Sequence, residues 1–432
     1  MNRAVLKAFC LWLAALGLAC SMVWGQPVQA DVEALKKSAP KVYIDCGICD
    51  IEYIKTEITF VNYVRDRNEA QVHVLITTQT TGSGGREYTL SFSGQNEFEG
   101  IDDTLKYFSN QTDTADDIRK GLVKTLKMGF MTYVARTPIS SRIAVSYTEE
   151  KKPQAAVDRW KSWIFSVSAS GYFSGEKSRK YESLSSSFSA NRVTPDIKIK
   201  MGLSAGTSRS RYQYGDEWIK SNRESYSFSG LIVKSLGEHW SAGGYLNASS
   251  SLYSNIRFSL NPAPAVEYNF FPYSQSTRRQ LRILYMVGFY TVRYREETIY
   301  LVTAENLWRE SLSVSLDVKE KWGTISASLS GSHYFHDFKK NELNAYGIVQ
   351  LNLVKGLNAF VLAGGSRIHD QLSLPKGEAT LEDVLLQRRV LETNYSYYLS
   401  FGLSYTFGSI FTNVINPRFG STSSGGMSIT IY

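Results

Sequence analysis

Residues 311–318 read Ser-Leu-Ser-Val-Ser-Leu-Asp-Val, and residues 324–330 read Thr-Ile-Ser-Ala-Ser-Leu-Ser. Apolar and polar side chains alternate with period two, which puts one set on each face of a β-strand. The pattern extends in both directions. Ile197, Ile199, Met201 and Leu203 alternate with Lys198, Lys200, Gly202 and Ser204. Leu399, Phe401, Leu403, Tyr405 and Phe407 alternate with Ser400, Gly402, Ser404 and Thr406. About twelve such strands fit between Trp160 and Phe407, with cores at 161–173, 180–191, 195–208, 219–235, 239–252, 256–270, 279–295, 307–320, 323–336, 342–354, 357–369 and 393–407.

A water-soluble sandwich alternates too. Three further features favour a membrane barrel. The polar face is Ser- and Gly-rich, as a solvated lumen requires. Trp160, Trp163, Trp218, Tyr253, Trp308 and Trp322 gather near strand ends, as interfacial girdles do. Connectors alternate between tight (SLGEH, KEKWG, VKGLN) and long (REETIYLVTAEN, DQLSLPKGEATLEDVLLQRR). The expected fold is mainly β: an antiparallel transmembrane β-barrel of about 12 strands preceded by a small α+β domain. An even strand count leaves both barrel ends, and that domain, on the periplasmic side.

Composition agrees. The chain has 432 residues, 43% apolar and 20% charged, with Tyr 27, Phe 21, Gly 32 and only 10 Pro. Mean hydropathy is -0.22. That is far too polar for a bundle of membrane helices and too apolar for a disordered chain. Arg3 and Lys7 precede an apolar run, Ala8 to Ala19, and Val28-Gln29-Ala30 is a small-residue cleavage pattern. Residues 1–30 therefore read as a secretory signal peptide. Losing Arg3 and Lys7, and no acids, takes the net charge from +8 to +6. A positive balance on an exported barrel does not indicate nucleic acid.

Residues 31–152 read as a periplasmic α+β domain. KVYID, EITFVNYVRD and AQVHVLITTQ are predicted strands, REYTLSFSG is a hairpin partner after Gly82-Ser83-Gly84-Gly85, and RIAVSY is a last strand. Asp50 to Ile58 reads as a helix or a run-up to a strand. A helix opens after Thr114, with Ile118, Leu122, Leu126, Phe130 and Tyr133 or Val134 on one apolar face and Pro138 beyond its end. Glu149 to Pro153 is a linker. The barrel occupies 153–410, and 411–432 is a periplasmic tail.

Cys46-Gly47-Ile48-Cys49 is the one chemical motif of the small domain. A disulfide between Cys46 and Cys49, formed in an oxidising compartment, is the favoured reading. A redox-active pair and a metal site are the alternatives. The first needs an alternating βαβ layout that the pattern lacks, and the second needs a second ligand pair. In the barrel, Lys198, Lys200, Arg278, Arg279 and Arg282 are candidate lumen or entrance cations. Pairing with lipid phosphates or lumenal acids is the competing account of them. His333, His336, Asp337, His369 and Asp370 fall near the outer ends of the ninth and eleventh strands, about 9–10 Å apart across the tenth, so no metal site is expected from them. Ser400, Gly402, Tyr405 and Phe407 match the β-signal read by barrel-insertion machinery.

The whole mature chain resembles a family of uncharacterised outer-membrane β-barrel proteins with an N-terminal periplasmic domain. The resemblance lies in Tyr43-Ile44-Asp45-Cys46 with Cys49-Asp50, in FVNYVRDRNEAQVHVLITTQTTGSGGREYTL (60–90) and in FFPYSQSTRRQLRILY (270–285). It continues in SHYFHDF (332–338), RIHDQLSLPKGEATLEDVLLQRR (367–389) and LSYTFGSIFTNVINPRFG (403–420). It implies location and architecture, and no activity. The expectation is a narrow, porin-like channel or transport component, not an enzyme, and without a cofactor. The alternatives are a structural or assembly protein anchoring a partner-binding domain and, ranked last, a membrane-embedded hydrolase. Expected partners are outer-membrane lipid, the barrel-insertion machinery and a periplasmic protein.

Overall fold

The computed structural model describes residues 35–146, 159–413 and 418, except 83, 378, 381, 382, 384, 385, 387 and 410. The signal peptide, the linker and most of the tail lie outside the described residues.

The N-terminal domain is a five-stranded mixed sheet backed by one long helix. Its strands are β1 (Lys41–Asp45), β2 (Asn62–Tyr63), β3 (Val72–Thr80), β4 (Arg86–Gly94) and β5 (Asp102–Ser109). Their order is β2-β1-β3-β4-β5, with β1 parallel to both of its neighbours. Two helices accompany them, α1 (Ile51–Glu57) and α2 (Ala115–Val134). Thr114 and Asp117 form a reciprocal capping box at the start of α2, satisfying two backbone donors. Leu122, Leu126, Phe130 and Tyr133 then pack on Val42, Val72, Val74, Leu90 and Phe92. The Phe92 and Phe130 rings meet edge to face at 5.6 Å. Helix and sheet approach closely at Gly129, where a Cβ would lie 2.1 Å from the Phe92 ring. The buried Tyr133 hydroxyl donates to the Ile101 carbonyl at 2.7 Å, so its burial leaves no orphan donor.

Four sequence readings change here. β1, α1 and β2 form a parallel βαβ unit, which the pattern did not reveal because β2 is only two residues long. The EITFVNYVRD strand shrinks to that pair, since Ile58 and Val61 enter the core from irregular backbone. The described residues of RIAVSY form no strand: a 3-10 turn covers Pro138–Arg142 and residues 143–146 are irregular, while Tyr147 lies outside the described residues. DDTLKYFS, read as no element, is β5, a charged edge strand that lacks a hydrophobic signature.

The remaining strands form one antiparallel meander of twelve, β6 to β17, each paired with its sequence neighbour. They are β6 (Trp163–Gly175), β7 (Arg179–Val193), β8 (Ile197–Tyr214), β9 (Glu217–Ser235), β10 (Trp240–Ser251) and β11 (Ile256–Asn269). Then come β12 (Arg279–Tyr294), β13 (Ala304–Glu320), β14 (Gly323–Tyr334), β15 (Asp337–Val354), β16 (Leu357–Ile368) and β17 (Tyr395–Tyr405). The expected count and barrel class hold. Each expected core overlaps its strand, because strict alternation carries both element type and face. β6 and β17 end the order, and among the described residues no ladder joins them.

The N-terminal domain is clasped to one end of the barrel. Gly356, in the β15–β16 turn with φ +74°, donates its backbone N–H to Asp66 at 2.5 Å. Lys355 pairs with Glu69, and Arg67 donates to the Asn352 carbonyl at 3.0 Å. The segment after β17 returns to the free side of β2: Phe411 bridges Val64, and Thr412 N–H donates to the Tyr63 carbonyl at 3.0 Å. Asp66→Ala should weaken this clasp by about 1–3 kcal/mol, since it leaves a half-buried N–H unpaired. Faster proteolytic release of the domain, with the barrel unchanged, is the expected result; an unchanged release rate counts against it.

Candidate functional site

Cross-strand partners share a face, so the ladders assign every barrel side chain to the interior or the outside. The interior face is largely hydroxyl. Ser168 pairs with Ser187, Ser170 with Ser185 and Ser204 with Ser227, each at 2.7 Å, and Ser249 with Ser259 at 2.8 Å. Small hydroxyls satisfy one another across strands and still leave room for water.

Three of the five candidate cations share this interior. Lys198 and Lys200 project from β8 and Arg282 from β12, on the half of the barrel nearer the clasped domain. Lys198 senses Lys200, Glu267 and Arg282 electrostatically. In a flat sheet β8 and β12 would stand about 19 Å apart at the usual strand spacing, so the sheet curls and brings them together. Arg282 pairs with Glu267 at 3.7 Å, and the Tyr273 hydroxyl donates to that carboxylate at 3.0 Å. Glu267 is the one carboxylate in this group, so positive charge is in excess.

Arg278 and Arg279 do not join them. Arg278 sits at the rim, bidentate to Glu320 at 2.8 Å. Arg279 is one register step from Arg282's face, points outward and lies 4.7 Å over the Phe271 ring. A cluster in sequence is split here by strand parity.

The other end of the barrel holds a feature the sequence reading left as a rim loop. The described residues of the connector 369–394 fold across the mouth. Leu372 is buried against Leu307, Tyr334 and Tyr290, all interior residues. Asp370 reaches Arg309 at 3.5 Å, and Arg309 also holds Glu342 at 3.2 Å and Ser332 at 2.5 Å. Further along, Pro375 bridges Thr298, Lys376 pairs with Glu297 at 2.8 Å and Arg388 donates to the Lys220 carbonyl of β9 at 2.6 Å. The connector thus spans from β16 to β9. Beneath it lies a polar chamber of about 350 Å³, lined by Asn247, Asn261, Ser311, Ser330 and Asn344.

Burial, with Glu342 beside it, raises the Asp370 carboxyl above the usual carboxylate range; Arg309 opposes the shift. Its neighbours Arg309, Glu342 and His369 set that balance. A raised pKa in the seated connector means the seated form takes up a proton more readily than the released form. Seating should therefore tighten as pH falls through that pKa and loosen above it. A spin label at Ser373 should lose mobility on acidification. Unchanged mobility, or the same response in Asp370→Asn, would count against this.

The other singled-out residues are dispersed. His333 faces outward and pairs with Glu310 at 2.7 Å, which also takes the Tyr285 hydroxyl at 2.6 Å. Asp370 faces the interior, and the His369 N–H donates to the Asn341 carbonyl. On β17, Ser400 and Gly402 face inward and Tyr405 outward, and Phe407 is exposed beyond the strand. A Cβ on Gly402 would lie 2.4 Å from the Phe360 ring, a packing reason for that glycine. Cys46 and Cys49 form a disulfide at the β1–α1 junction, followed by the Asp50 cap of α1.

No protein-family model matches the chain, and no curated protein does. Two solved barrels are similar to it. The NanC porin in a rhombohedral crystal form is 9% identical, over 56% of this chain and 99% of that one, with a TM-score of 0.28. The translocator domain of the autotransporter NalP from Neisseria meningitidis is 11% identical, over 57% of this chain and 82% of that one, with a TM-score of 0.17. The architecture rests on the strand ladders themselves.

Proposed function

We propose that the protein is an outer-membrane barrel acting as a narrow, gated channel or transport component, with its N-terminal domain in the periplasm. The observation that carries this reading is the hydroxyl-lined interior, which leads from Lys198, Lys200 and Arg282 to a chamber beneath Leu372. In the membrane the unpaired edges of β6 and β17 would each cost several kcal/mol per orphaned group, so the barrel closes by joining them. The connector 369–394 then faces outside, and the clasped domain covers the periplasmic end. The excess cations favour anions at that end.

Planar-bilayer recording tests the reading. A purified barrel that carries no current, with or without residues 31–152 and with or without the connector, sinks it. Lys198→Gln with Lys200→Gln should shift the reversal potential in a KCl gradient toward cation preference, by about 10–20 mV for a several-fold change in permeability ratio. No shift would remove the two lysines from the path.

The clasp favours a second reading, an assembly protein whose domain engages an envelope partner. Failure of the full chain to retain any envelope protein in a pull-down would count against it. His333 turns its Nε2 to Glu310 and not to a serine, which supports the non-enzymatic reading. Lipid and the insertion machinery, reading Ser400, Gly402, Tyr405 and Phe407, are the further partners we propose.

A further inference from the structure

On the outside of β6 to β8, at the end nearer the clasped domain, Arg159, Lys161 and Arg192 surround a pocket of about 380 Å³. Its other walls are Trp160, Trp163, Phe165 and Met201. Among the described residues none of the three cations stands in an ion pair. Among the described residues no acid lines the pocket. The Arg192 Nε is buried without a partner. The pocket is shaped by a tight turn in which the Trp163 N–H donates to the Trp160 carbonyl at 3.0 Å. Both central residues, Lys161 (φ 49°) and Ser162 (φ 64°), are left-handed, a conformation that residues other than glycine rarely adopt. The turn sets Trp160 and Lys161 beside Trp163, which stacks on Phe165 at 5.9 Å.

The next outward position on each strand opens a second depression. Past Phe165 comes Val167, and past Met201 comes Leu203; with Phe188 and Phe228 they wall an apolar trough of about 550 Å³ floored by Ala169 and Ala205. A cationic pocket and an apolar trough therefore lie next to each other along one outward face, with the stacked Phe165 and Phe188 rings at their boundary. The cations lie at the strand ends, where a bilayer's polar headgroups sit, and the trough lies at the depth of its acyl chains.

We propose that this is a binding site for one anionic phospholipid of the periplasmic leaflet. Its phosphate is held by Arg159, Lys161 and Arg192, and one acyl chain lies in the trough. Three cations with no acid among the described lining residues fit a phosphate ester, and an apolar trough next to them fits a lipid chain. The site rests on the membrane-barrel reading, because these positions meet lipid only if the odd residues of β6 do.

The test uses the full chain in vesicles of phosphatidylcholine with and without phosphatidylglycerol. Insertion is scored first by flotation; failure there overturns the barrel reading and is distinct from failure of the site. For the inserted protein, extraction into detergent and native mass spectrometry should retain one phosphatidylglycerol in preference to phosphatidylcholine. R159Q/K161Q/R192Q should lose that lipid about tenfold. A205F, which fills the trough and keeps all three cations, should lose it as well, whereas K177Q/K180Q at the opposite strand ends should not. Inorganic phosphate that binds as tightly as the lipid, retention by either site variant at the wild-type level, or equal loss in K177Q/K180Q overturns the proposal.

Discussion

Replacing residues 371–391 by a short flexible linker should raise single-channel conductance on the order of tenfold, because it removes the loop that packs Leu372 on the inner wall at the mouth. Leu372 is 4% exposed and packs on Leu307, Tyr334 and Tyr290 from three strands of the wall, the place of a plug in the proposed channel. Asp370 lies 3.5 Å from Arg309, and the bridge between Pro375 and Thr298 pins the next stretch. In a hydrophobic constriction, removing the apolar plug allows the pore to wet. The deletion touches no strand, so heat-modifiability of the barrel on gels should be unchanged. A folded deletion variant with wild-type conductance would remove the connector from the gate. Leu372→Ala should give part of the same effect, since Asp370 and Lys376 still tie the loop down.

The second large effect is expected in the N-terminal domain. Phe130→Ala should cost about 3–5 kcal/mol, a sizeable share of the stability of a domain this small. Phe130 is fully buried in the C-terminal part of α2, edge to face with Phe92 of β4. A cavity there cannot collapse easily, because Gly129 already sits in contact range of the Phe92 ring. Limited proteolysis should degrade the domain and leave the barrel protected. If the barrel instead fails to insert, the domain is needed for assembly, and the clasp through Asp66 and Lys355 is the contact to examine by the single substitutions.

Much of this architecture was legible in the residues. Ser-Leu-Ser-Val-Ser-Leu-Asp-Val already separates the faces of β13, and ladders at Ser311, Ser313 and Ser315 place those serines with Ser332, Ser330 and Ser328. The same parity puts Lys198 and Lys200 inside. The apolar face of α2 was readable from its 3.6-residue period, and its start from Thr114 and Asp117. Parity was available for Arg279 as well, but proximity to Arg278 and Arg282 in sequence suggested one cluster where the strand makes two faces. β2 and β5 were not legible, one because two residues carry no period and the other because its charges mimic a loop.

Local periodicity therefore determined how many strands the barrel has and which side chains each turns inward. It did so because backbone geometry repeats every two or 3.6 residues whatever the rest of the chain does. Only the tertiary structure decided that Leu372 packs inside one mouth, that Asp66 grips Gly356 nearly 300 residues away, and that Arg282 lies within electrostatic reach of Lys198. Those contacts join segments brought together by the curl of the sheet, and a curl summed over twelve strands leaves no mark in any one of them.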